Sequence, residues 1–145
     1  MIEGQETKVM SVRDAIIEAM SEEMRRDENV FLIGEDVGVY GGDFGTSVGM
    51  LEEFGSERVR DTPISENAIS GAAVGAALTG MRPIVDVTFM DFIVYMMDNI
   101  VNQAAKTRYM YGGKGSVPVV FRCAAGSGLG SAAQHSQSLE AWFCH

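Results

Sequence analysis

Val30-Phe31-Leu32-Ile33 is apolar at four successive positions. A strand with no polar face must be covered on both sides, so this run belongs inside a sheet that lies between two helical layers. Mostly apolar runs return at Ile84–Phe89 and Val117–Phe121, with a weaker one at Val59–Thr62. Helical patterns stand between them. That alternation predicts an α/β fold with a three-layer parallel sheet and right-handed crossovers. Ligands of such sheets sit beyond the carboxyl ends of the strands. The expectation therefore gathers Gly34-Glu35-Asp36, Ser65-Glu66, Phe89–Phe92 and the loop before His135 at one edge.

The first helix is expected to start at an N-cap, Ser11, with Asp14 in its first turn. Val12, Ala15, Ile16, Ala19, Met20 and Met24 recur at helical spacing as its apolar stripe. A short helix is expected at Met50–Phe54, closed by Gly55. A long helix over 91–109 is apolar nearly all round, which predicts burial or an interface. Beyond a second glycine loop, Gly126–Gly130, come His135 and a last helix.

The helix predicted over 66–79, with Gly80 as its C-cap, is rich in Ala, Gly and Ser and has few large side chains. Each of Gly71 and Gly75 costs about 1 kcal/mol in helix propensity, so a close backbone approach is expected there. The approach is either internal packing on the sheet or a subunit interface. Glu66 opens this helix. In a tight, poorly hydrated cleft, burial favours the protonated carboxyl, as proton transfer near neutral pH requires. A glutamate placed only to complement the helix dipole is the alternative.

The net charge of −9 argues against a nucleic-acid partner, and Arg25-Arg26 is the one close basic pair. No apolar run is long enough to span a bilayer. The start, Met1 to Lys8, is polar and lacks the apolar core of a signal peptide. Cys123 and Cys144 have no metal-type spacing, which fits a reducing, cytoplasmic interior. The tail from Leu139 to His145 has an apolar helix face and then stops, as a piece of something longer would. Gly126-Ser127-Gly128-Leu129-Gly130 imitates a dinucleotide turn, but Ser131 stands where a third glycine belongs. Gly113-Lys114-Gly115-Ser116 follows a helix, not a strand, and makes a poor P-loop. His135 is either a structural residue or an acid–base group at the strand ends. Asp36 and Asp43 read as solvated loop acids, and Glu35, directly after a buried strand, as the acid to watch.

Five segments together resemble the beta subunit of thiamine-diphosphate-dependent 2-oxo acid dehydrogenases, with the pyruvate and acetoin enzymes nearest. They are Gly34-Glu35-Asp36-Val37-Gly38, Thr62-Pro63-Ile64-Ser65-Glu66, Gly71–Ala77, Gly80-Met81-Arg82-Pro83-Ile84-Val85 and Ala133-Gln134-His135-Ser136-Gln137. The resemblance runs in order along nearly the whole chain. It implies a transketolase-like pyrimidine-binding domain over 1–145, with the family's carboxyl-terminal domain absent. It also implies an alpha2-beta2 heterotetramer holding thiamine diphosphate between chains, with magnesium on the alpha subunit and no metal site here. The activity implied is decarboxylation of a 2-oxo acid, then acyl transfer to a lipoyl-bearing acyltransferase.

By position, the resemblance makes Glu66 the partner of the aminopyrimidine ring nitrogen. Phe92 stacks on the pyrimidine, Ile64 and Thr88 line its pocket, and Glu35 lies in an acidic path toward the second active site. His135 acts in acyl transfer. Thr88 stands where members often carry a larger side chain, and Asp86 where Glu is common. A potassium site near Val119 is not expected to be complete. An acetoin dehydrogenase, a transketolase or deoxyxylulose-phosphate synthase half, and an inactive module pairing through Gly71 and Gly75 remain alternatives.

Overall fold

The computed structural model describes residues 8–144; the polar stretch 1–7 and His145 lie outside it. Helix α1 (Val12–Arg26) begins where Ser11 Oγ accepts the Asp14 N–H at 3.1 Å. Its buried side is narrower than the apolar spacing predicts. Met20 and Met24 are buried and Ile16 packs against their cluster, whereas Val12, Ala15 and Ala19 are exposed. The Arg58 guanidinium closes the other end, donating to the carbonyls of Met24, Asp27 and Val30.

Four strands follow: β1 (Val30–Gly34), β2 (Val59–Asp61), β3 (Arg82–Phe89) and β4 (Val120–Ala124). They pair in parallel in the order β2-β1-β3-β4. Successive residues of β1 serve opposite faces, as the pleat requires. Val30 and Leu32 pack with Met20, Met24, Met50 and Val59. Phe31 and Ile33 pack with Ile69, Ala73, Val85 and Met96. Two apolar clusters on one sheet make the three-layer α/β arrangement expected from the sequence. Helices α1 and α2 (Met50–Phe54) cover one face, and α3 (Glu66–Leu78) covers the other.

Helix α3 ends as its glycine predicts. Gly80 adopts φ 102°, its N–H bonds the Ala77 carbonyl and that of Met81 bonds Ala76, which closes a Schellman turn. Two expectations shift by a few residues. The fourth strand starts at Val120 rather than Val117, because Pro118 has no N–H for the ladder and Val119 N–H turns back to Val117 O. The final helix is one 3-10 turn, Glu140–Phe143. Leu139 alone reaches the core cluster, Trp142 and Phe143 stay exposed, and no buried face supports further turns.

The single helix expected over 91–109 is three pieces: a 3-10 helix at Met90–Met96, a π-helix at Asp98–Ala104, and α4 (Ala105–Met110). Asn99 in the π segment donates to Asn67 Oδ1 at 2.8 Å and to Ser70 Oγ at 2.9 Å, binding the first turn of α3. Nor is the segment covered all round. Ile93 and Met96 are buried, while Val94, Tyr95 and Val101 are exposed. Among the described residues no helix is long and apolar enough to cross a membrane.

Candidate active site at the strand ends

The carboxyl ends of β1 and β3 and the amino end of α3 border a cleft of about 480 Å3. Its lining brings together Glu35, Ile64, Glu66, Thr88, Phe92 and His135, the six cleft residues named from the sequence. They come from four separate segments. Gly71 and Gly75 lie further along α3 and do not line it. Asp43, Phe89 and Tyr95 complete the wall. Asp43 is a solvated loop acid in the sequence reading, and no local pattern marks Tyr95.

Glu66 is the first residue of α3, half-buried, directly after the cap residue Ser65. Ser70 Oγ donates to its carbonyl at 3.0 Å, and Asn99 in turn holds Ser70. The backbone that presents Glu66 is thus fixed from two elements. Ile64 beside it is 82% exposed and forms an outer lip.

Glu35 leaves the end of β1 and accepts the Ser65 N–H at 3.3 Å. Burial pushes its carboxyl above the ordinary glutamate value, and the nearby Glu66 charge adds to this, against the hydrogen bond from Ser65. Folded Glu35 therefore holds a proton at pH values where the unfolded chain has lost it. The associated stability is present at low pH and declines as pH rises from the ordinary value through the raised one. Glu35→Gln is expected to remove this decline, so that thermal midpoints measured from acid to neutral pH diverge from those of the parent. Parallel curves would contradict that account.

The far wall is aromatic. Phe89 meets Phe44 edge-on at 5.3 Å between ring centres, and His135 packs edge-on against Phe89 at 4.9 Å and Phe92 at 5.2 Å. Such contacts fix ring planes as well as bury area. His135 sits in a single 3-10 turn, Ala133–His135, whose loop is tied down by buried Asp91. That carboxylate accepts the Gln137 main-chain N–H at 3.2 Å and its Nε2 at 2.9 Å. Nothing near Asp91 in the sequence points to this tie, because its partner is 46 residues away.

Residues 8–145 match the family described as transketolase, pyrimidine binding domain. This chain belongs to that family. The pyrimidine-binding domain has relatives at about half identity. It is 49% identical over 142 residues to the pyruvate dehydrogenase E1 component subunit beta of Rhizobium meliloti (strain 1021), covering 98% of this chain and 31% of that protein. It is 50% identical over 148 residues to the acetoin:2,6-dichlorophenolindophenol oxidoreductase subunit beta of Bacillus subtilis (strain 168), covering 94% and 43%. The 2-oxoisovalerate dehydrogenase subunit beta of the same organism is 50% identical over 137 residues, covering 94% and 42%. The domain thus spans less than half the length of each of these relatives.

Proposed function

We propose that this chain is the pyrimidine-binding part of the beta subunit of a thiamine-diphosphate-dependent 2-oxo acid dehydrogenase of the pyruvate dehydrogenase kind. The observation that carries the reading is the joining of Glu66, Glu35, Phe92 and His135 in one cleft. The cleft suits an aminopyrimidine. Its volume lies in the usual ligand range of about 300–1,000 Å3. The Phe89 and Phe92 rings, set edge to face, offer an apolar wall, and Glu66 offers a carboxyl in the same cleft.

In this proposal Phe92, Ile64 and Thr88 hold the pyrimidine, and Glu66 shares a proton with its ring nitrogen. When bound, the cofactor supplies a carbon nucleophile and an electron sink for decarboxylation. Glu35, whose carboxyl is pushed above its ordinary value by burial and the Glu66 charge, lines the same cleft beside Glu66. In this reading the diphosphate and its magnesium belong to an alpha subunit. The assembly is an alpha2-beta2 heterotetramer serving a lipoyl-bearing acyltransferase, and the two free thiols fit a cytoplasmic setting.

The identity to the acetoin enzyme's beta subunit favours acetoin cleavage as the second reading. Co-assembly with a cognate alpha subunit, assayed on pyruvate, branched 2-oxo acids and acetoin, separates the two. Decarboxylation of pyruvate supports the first, turnover of acetoin alone the second, and no turnover of either contradicts both. In the same assembly His135→Ala is expected to leave decarboxylation in place and to cut acyl transfer to lipoamide; unchanged transfer would remove His135 from that step.

Gly71 and Gly75 are assigned to the subunit interface. A Cβ built at Gly75 meets nothing within 4 Å, whereas one at Gly71 touches Asn99 at 3.6 Å. A contact of 3.6 Å is ordinary packing, so internal packing requires glycine at neither position. Gly75→Leu should fold normally and fail to pair, as read from the mass of the complex by light scattering. A heterotetramer of normal mass would refute the assignment.

A further inference from the structure

We propose that Asp86 and Arg122 form a clamp that holds Thr88 in a left-handed backbone conformation and so shapes the cleft wall at that position. The inference deepens the pyrimidine-pocket reading and rests on it for the role of Thr88. Thr88 has φ 52°, a region that β-branched residues rarely enter. In a regular strand, successive side chains point to opposite faces. Here Thr88 and Phe89 both line the cleft. The ladder shows how. Asp86 pairs with Arg122 and Phe89 with Ala124, so β3 carries one extra residue, a bulge that re-aims its end.

The bulge is held by side chains that do not line the cleft. Asp86 is 6% exposed. One of its oxygens accepts the Thr88 N–H at 3.0 Å, and the other accepts Arg122 Nη2. The same Nη2 donates to Thr46 Oγ1 at 2.6 Å. Thr46 lies in the segment between β1 and α2 that also carries Asp43, another residue of the cleft lining. One guanidinium thus ties the strained strand end to that loop. Asp86 and Arg122 are positioning residues, acting on the ligand through Thr88 and the loop. Asp86 tolerates this crowding because Gly34 beside it has no Cβ, which would lie 2.7 Å from the Asp86 carbonyl oxygen.

The test uses the chain assembled with its alpha subunit and has two readouts. The first is hydrogen exchange of the Thr88 amide without cofactor. Asp86→Ala should speed it by about tenfold or more, and Asp86→Asn, which keeps an acceptor oxygen, by less than about twofold. The second is the dissociation constant for thiamine diphosphate in a double-mutant cycle. Asp86→Ala should weaken binding by about tenfold in the parent but by less than about twofold in the Thr88→Gly background, since glycine takes positive φ freely. A merely structural role for Asp86 would weaken both backgrounds equally. Equal weakening, or unchanged Thr88 exchange, overturns the proposal. If Asp86→Ala does not assemble, Asp86→Leu/Arg122→Met removes both charges together and goes through the same measurements. Should the parent fail to bind thiamine diphosphate, the pocket reading fails, and the exchange measurement still decides the clamp.

Discussion

Glu66→Gln in the assembled enzyme is expected to lower decarboxylation by about a hundred- to ten-thousand-fold, the usual weight of a positioned proton-transfer group. The amide has the same size and still forms hydrogen bonds. It cannot share a proton with a ring nitrogen as a carboxyl does. The substitution should leave the fold intact, because α3 is held by contacts that do not involve the Glu66 side chain. Asn99 binds its first turn, Ile69 and Ala73 bury its inner face, and a Schellman turn closes its end. Loss of the dipole contact costs only about 0.3–1 kcal/mol. Parallel thermal melts therefore separate chemistry from folding. Activity that survives the substitution would remove Glu66 from proton placement.

The largest effect on stability is expected at Arg122→Ala, about 3–5 kcal/mol, because it strands the buried Asp86 carboxylate without its cation. Asp86 is 6% and Arg122 17% exposed at the side chain, so water screens the pair little. Against a total stability of about 5–15 kcal/mol for a domain, such a loss is severe. Denaturant midpoints at an unchanged slope would measure it. A loss under about 1 kcal/mol would place this pair with ordinary surface ion pairs.

These two sites differ in how far the sequence discloses them. Glu66 stands at the mouth of a helix of small residues, and both features are local. The apolar run Val30–Ile33 needs only its own pattern to place β1 between two layers. Strand order then brings Glu35, Thr88 and Phe92 to one edge through a general rule of parallel sheets. Asp86 and Arg122 are 36 residues apart, and their meeting depends on β-ladder register. The bulge that turns Thr88 toward the cleft leaves no mark in a run reading Asp86-Val87-Thr88-Phe89. The break in the long helix is equally hidden, and the Asn99 contact to α3 that accompanies it joins residues 32 apart. Periodicity locates elements well; it is silent on polar side chains that bridge them.

The structure of the assembled protein with thiamine diphosphate bound tests the central claim most directly. The account predicts a Glu66 carboxyl oxygen about 2.6–3.2 Å from a pyrimidine ring nitrogen, with Phe92 against the ring face. A pyrimidine seated outside this cleft, or Glu66 turned to bulk water with the ring bound elsewhere, would contradict it.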